Sequence, residues 1–242
     1  MEIWRGVWNS WQGWLLTMLL VILSPAVDHF ILRALRRRPS IEPATKIKLF
    51  VFVIVSQWTL AALAWLTVYR LGGNLAALGE QWGEPKTTFS VLAVIAVIVL
   101  LLGIFNRGRV SKMPPQRLRP LLERLKLVLP TSAAERPVYV VLAVTAGICE
   151  EILFRGWLVS FLAVGLGSVG AGVVLSSLLF GAAHFYQGWK AVPGTAVLGL
   201  LFAGLFVMTG SLLPGQMLHA WIDVKNGLSL GKVAEKLASE PT

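Results

Sequence analysis

The sequence predicts an all-α polytopic membrane helix bundle of about seven transmembrane helices, on three observations. Of the 242 residues, 56% are hydrophobic and only 14% are charged, where a soluble domain carries roughly a quarter charged. Mean hydropathy is +0.71. The apolar residues fall in runs of about 20, the length a helix needs to cross roughly 30 Å of hydrocarbon. Most of the charges sit between these runs. The same composition excludes intrinsic disorder, which requires low hydrophobicity.

Each helix can be justified in order. Gly6 to Val27 is the first charge-free run, Leu49 to Tyr69 the second and Thr87 to Asn106 the third. A fourth helix starts near Pro137, runs to about Ala163 and contains charges. The stretch Gly156 to Ala183 is too long for one helix, and Gly165 to Gly172 (GLGSVGAG) supplies a turn. Ala191 to Leu218 is again too long, and Thr209-Gly210-Ser211 with Pro214 breaks it. A short last helix is expected from about Pro214 to Asn226. The chain then divides into an N-terminal three-helix transmembrane region (1–106) and a basic cytoplasmic loop with an amphipathic helix (107–136). A four-helix core holding an active-site cavity (137–226) and a cytoplasmic tail (227–242) follow.

The net charge is +10, from 22 Lys and Arg against 12 Asp and Glu. In a membrane protein such an excess marks cytoplasmic loops rather than nucleic-acid binding. Arg33, Arg36, Arg37, Arg38, Lys46 and Lys48 lie between the first two spans, but only Arg70 and Lys86 between the next two. The loop from Arg107 to Arg136 is rich again, and the tail carries Lys225, Lys232 and Lys236. With seven spans, this alternation places the N-terminus outside and the C-terminus in the cytoplasm. Within the loop, Leu118, Leu121, Leu122, Leu125 and Leu129 recur at helical spacing among basic residues, as in a helix lying on a membrane surface. The single cysteine, Cys149, excludes an intrachain disulfide and a cysteine zinc cage. It reads as a small buried thiol. The N-terminus lacks the charge pattern and cleavage site of a signal peptide. No glycine-rich nucleotide loop is present, so ATP-driven chemistry has no support.

Ionisable residues inside a span are costly and default to a functional hypothesis. Here they are Glu150, Glu151 and Arg155 in CEEILFR, His184 in LLFGAAHF, and His219 and Asp223 in QMLHAWID. Glu151 and Arg155 are four apart, so they share a helix face and can pair. Glu150 points about 100° away and is left free to meet another helix. His219 and Asp223 also share a face. One free Glu and two His are the groups needed to activate a water. Glu150, His184 and His219 could equally hold a divalent metal such as zinc, though no cofactor is certain. Asp223 is placed to orient His219 through its other ring nitrogen. The competing reading is structural: an ion pair and hydrogen-bonding histidines that hold the bundle together. Asp28 and His29 interrupt the first span and are read as lying near the interface, with Asp28 paired to a nearby Arg. Most of the ten tryptophans read as interfacial anchors, while Trp157, Trp189 and Trp221 lie near the charged cluster as candidate pocket residues.

Glu150-Glu151-x-x-x-Arg155, Phe180-x-x-x-His184 and His219-x-x-x-Asp223, each on its own apolar helix and in this order, resemble the three motifs of the CPBP family. That family comprises the CAAX prenyl proteases and the bacteriocin-processing, or Abi, proteins. The resemblance spans roughly Val138 to Asn226. It implies an all-α intramembrane endopeptidase in which Glu150 with His184 activates water. His219 and Asp223 would stabilise the oxyanion, and Glu151 with Arg155 would hold the site. The eukaryotic prenyl proteases have Asn where this chain has Asp223, and an ionised Asp cannot donate a hydrogen bond. Orienting His219 therefore suits Asp223 better. The family has been described both as metalloproteases and as glutamate peptidases.

The expected function is thus an intramembrane endopeptidase that cleaves a membrane-proximal peptide bond with a Glu/His-activated water. Its partners would be a peptide or protein substrate and the lipid bilayer, not nucleic acid. A multi-pass location in a bacterial inner membrane is expected. The alternatives are a non-catalytic membrane scaffold or bacteriocin-immunity protein, and an ion-coupled transporter, against which the lack of internal repeats argues.

Overall fold

A computed structural model describes residues 2–38, 41–105 and 115–239. The first part of the basic loop (106–114), the expected end of the third span at Asn106 and the last three residues lie outside the described residues. Nine helices and no strand occur among those described: α1 (Glu2–Trp8), α2 (Trp11–Arg36), α3 (Pro43–Arg70), α4 (Pro85–Phe105), α5 (Pro115–Leu125), α6 (Glu135–Leu166), α7 (Val169–Ala183), α8 (Val192–Thr209) and α9 (Leu213–Ser239). Short 3₁₀ turns at Leu75–Leu78 and His184–Gln187 follow α3 and α7.

Six of these helices, α2, α3, α4, α6, α7 and α8, are long and apolar enough to cross a membrane. The protein is an integral, multi-pass membrane protein. The seventh expected span differs from the reading above. Instead of a short helix ending near Asn226, α9 runs unbroken to Ser239 and absorbs the expected tail. Its Asp223, Lys225, Lys232, Glu235 and Lys236 make it too polar to count with the six.

The centre of the bundle is α6. From Glu151 to Val159 it widens into a π-helix, and every residue of that stretch is buried. A helix buried on all sides must be apolar nearly all round, and ILF and WLV on either side of Arg155 and Gly156 supply this. Trp4 and Val7 of α1, Leu16 and Leu20 of α2, and Ala61, Ala64 and Val68 of α3 pack around it. Two hydrogen bonds tie the wide turn down: Ser176 Oγ of α7 donates to the Phe154 carbonyl at 2.8 Å, and Trp157 Nε1 donates to Thr17 Oγ1 of α2 at 3.1 Å. Gly147 lets α6 touch α9, since a Cβ there would lie 2.6 Å from Ala220 N and 2.7 Å from Ala220 Cβ. At the start of α6, Glu135 is buried against Lys46 Nζ of α3 at 2.6 Å and accepts from Thr131 N at 2.7 Å. Lys46, counted above among loop charges, therefore serves inside the protein.

The amphipathic helix forms as α5, but its stripe is covered by protein. Leu118, Leu122 and Leu129 are buried against Leu230, Val233, Ala234 and Leu237 of α9. Only Leu121 of the five leucines is exposed. The extension of α9 supplies the apolar partner that the membrane surface was expected to provide.

Candidate active site

Helix α6 contributes two adjacent carboxylates at the point where its α-helical turns pass into the π-helix, and they face different partners. Glu151 and Arg155 are each 1% exposed, and Arg155 Nη1 donates to Glu151 Oε1 at 3.0 Å. The guanidinium also reaches the Gly199 carbonyl of α8 at 3.4 Å and lies 4.2 Å above the Phe180 ring. The second acceptance by Glu151 Oε1, from His219 Nδ1 at 2.8 Å, links this pair to α9.

Glu150 turns toward α3, α7 and α9. Gln57 Nε2 donates to its Oε1 at 2.8 Å. Its other oxygen, Oε2, is buried and has no hydrogen-bond partner. That oxygen stands 3.7 Å from His184 Nε2 and 3.9 Å from His219 Nε2, spacings that leave room for a small molecule to bridge them.

The ring protons follow from the partners. His184 Nδ1 sits 2.8 Å from the Phe180 carbonyl, which can only accept, so Nδ1 carries a proton and neutral His184 presents a lone pair on Nε2. Likewise His219 Nδ1 donates to Glu151, leaving Nε2 turned to Glu150 and to Asp223 Oδ2, 3.6 Å away. Asp223 therefore does not orient His219 through its other nitrogen, as the spacing suggested. Glu151 does so, because α6 and α9 approach closely at Gly147, and Asp223 faces the same nitrogen as Glu150. Phe202 stacks on the His219 ring at 4.9 Å, nearly parallel, and Phe180 meets it edge-on.

These groups open on a cavity of about 380 Å³. The six residues singled out from sequence thus form one connected cluster. Glu150, His184, His219 and Asp223 line the cavity, while Glu151 and Arg155 stand behind them. Sequence reasoning missed Gln57, which is one amide in the apolar run of α3, with nothing in its spacing to show which helix it meets. It also misjudged Asp28, which lines the cavity and makes no hydrogen bond or ion pair among the described residues. None of the three tryptophans lines the cavity: Trp157 is fully buried in the core, Trp189 is 67% exposed, and Trp221 lies against Lys225. Phe50, Tyr139, Phe154, Phe180, Tyr186 and Phe202 supply its aromatic walls. Cys149 is fully buried in the core, as expected of an inert thiol.

The proposed metal set, Glu150, His184 and His219, converges at the distances just given. Among the described residues, however, no group of three or more His, Cys, Asp and Glu side chains is arranged to hold a metal ion. His219 Nε2 also lies 3.6 Å from Asp223 Oδ2. The reaction proposed for these side chains uses no metal.

Residues 132–224 match the family model described as Rce1-like, type II CAAX prenyl endopeptidase Rce1-like. Neither the curated proteins nor the solved structures gave a match. The matched segment begins just before α6 and ends one residue past Asp223, so it contains all three motifs but neither Gln57 nor Asp28. The segment that builds the buried Glu/His cluster is thus similar to a family of proteases, the type II CAAX prenyl endopeptidases.

Proposed function

We propose that the protein is a glutamate-type intramembrane endopeptidase in which Glu150 is the general base. The observation that carries this reading is Glu150 Oε2, buried, without a hydrogen-bond partner, and facing the Nε2 atoms of both histidines across a cavity.

A water between Glu150 Oε2 and His184 Nε2 gives one proton to Glu150 as its oxygen attacks the scissile carbonyl carbon. The carbonyl π-electrons move to oxygen, and His219, protonated on both nitrogens, donates from Nε2 to that oxyanion. Glu151 keeps Nδ1–H and fixes the ring plane, while Arg155 holds Glu151. The C–N bond then breaks as Glu150 returns its proton to the leaving nitrogen. Such proton transfer contributes about 10²–10⁴-fold, and one oxyanion donor about 10²–10³-fold. Gln57 holds the first carboxylate oxygen, so that Oε2 alone is presented to water. The Lys/Arg-rich segments before Lys48 and after Arg107 support cytoplasmic loops there, and the end of α9, packed on α5 of the second loop, lies on the same side, in a bacterial inner membrane.

Purified protein, its Glu150→Gln and His184→Ala variants, and a library of membrane-proximal peptides provide the test. Cleavage present in the wild type and lost in both variants, unchanged by a chelator, is the expected result. Equal cleavage by all three forms removes the mechanism. Loss of wild-type cleavage on chelation replaces it with a metal-dependent one.

A further inference from the structure

We propose that Asp28 is a binding subsite for a basic side chain of the peptide substrate; this rests on the peptidase reading above. Asp28 comes from α2, outside the family-matched segment, and lies just beyond the π-turn Leu19–Leu23 and Pro25. Pro25 has no N–H to give the preceding turn, and π-turns and prolines are where helices bend. Leu20, Ser24, Pro25 and Asp28 all face the cavity that holds Glu150, His184 and Asp223.

Arginines abound on the same helix, yet none neutralises Asp28. Arg36 instead donates to the Arg124 and Tyr186 carbonyls, each at 3.0 Å. Among the described residues no Lys or Arg lines the cavity, and its carboxylates are Asp28, Glu150 and Asp223. Glu150 is committed to water and Asp223 adjoins His219 Nε2. Asp28 has no such task. It is a carboxylate in a largely apolar cavity wall, where an unpaired charge is costly and an incoming cation relieves that cost. The cavity therefore selects an apolar segment carrying Lys or Arg near the scissile bond.

The probes are short fluorescent apolar peptides, identical except at one position, which is Lys, norleucine or Glu and is scanned along the peptide. Binding is measured on the full-length protein in detergent in the Glu150→Gln background, which blocks turnover. At one position or more, the Lys peptide should bind about tenfold tighter than its norleucine counterpart, the scale of a partly desolvated ion pair. Adding Asp28→Asn should bring that ratio below about threefold, and Asp28→Lys should shift preference to the Glu peptide. Partitioning of the peptides into detergent cancels when ratios are compared between variants. A Lys-to-norleucine ratio that is the same with Asp28 and Asn at every position overturns the subsite. Failure of the peptidase reading is seen separately. An Asp28-dependent preference without cleavage by the wild type keeps the subsite and removes the reaction. Glu150-dependent cleavage without an Asp28-dependent preference does the reverse.

Discussion

Glu150 and Glu151 are neighbours in the chain, yet the same conservative change to Gln should have opposite consequences at the two positions. Glu151 is the counter-charge of Arg155, and both are 1% exposed. At 3.0 Å and an effective dielectric near 20, their attraction is about 5 kcal/mol. Removing one partner of a buried pair costs about 3–5 kcal/mol, because the other charge is left behind. For a chain of this size that corresponds to a fall in Tm of about 6–20 °C, at roughly 2–4 °C per kcal/mol. Glu150 has no Lys or Arg partner, and its Oε2 has no hydrogen bond. Glu150→Gln should therefore leave Tm within about 3 °C of wild type, a change below roughly 1 kcal/mol, while cleavage falls about 10³-fold or more. Thermal unfolding followed by tryptophan fluorescence in detergent, beside peptide cleavage at a single pH, measures both. A Tm loss as large for Glu150→Gln as for Glu151→Gln would refute the division of labour between the two carboxylates. So would an unchanged Tm for Glu151→Gln.

Three other outcomes are expected. Gln57→Leu removes a hydrogen bond to a carboxylate, worth about 1.5–3 kcal/mol, so Tm should fall by about 3–12 °C at roughly 2–4 °C per kcal/mol; turnover should fall about tenfold or more, and unchanged turnover would strip Gln57 of its positioning role. Gly147→Ala forces a methyl to within 2.6 Å of Ala220 N; overpacking of this kind costs about 1–3 kcal/mol, and both Tm and cleavage should drop as α9 moves away from Glu150. Glu80, beside the turn after α3, accepts from Gln216 Nε2, but burial outweighs that bond and raises its carboxyl above the usual 4.5. The folded form then holds the proton more tightly than the unfolded chain, so this group favours folding at low pH and opposes it as pH rises past its raised value. Glu80→Gln should show a Tm advantage over wild type that grows between about pH 4 and pH 7, and a pH-independent difference would contradict it.

Much of this protein was legible in the sequence because its solvent is a bilayer. A charge-free run of about 20 residues has few alternatives to a membrane helix, and an ionisable group inside such a helix stands out against its apolar neighbours. Glu150, Glu151, Arg155, His184, His219 and Asp223 were found in that way, and the i, i+4 spacing correctly paired Glu151 with Arg155. Contacts between helices distant in sequence were decided only by the tertiary structure. Helical periodicity states which residues share a face, but not which helix that face meets. For that reason Gln57 and Asp28, carried by the N-terminal helices, could not be assigned to the cavity. Glu151 rather than Asp223 accepts the hydrogen bond from Nδ1 of His219 because Gly147 allows α6 and α9 to touch. The leucine stripe of α5 posed the same ambiguity. An amphipathic face requires an apolar partner, and whether lipid or the far end of α9 supplies it depends on where the folded chain places its last turns.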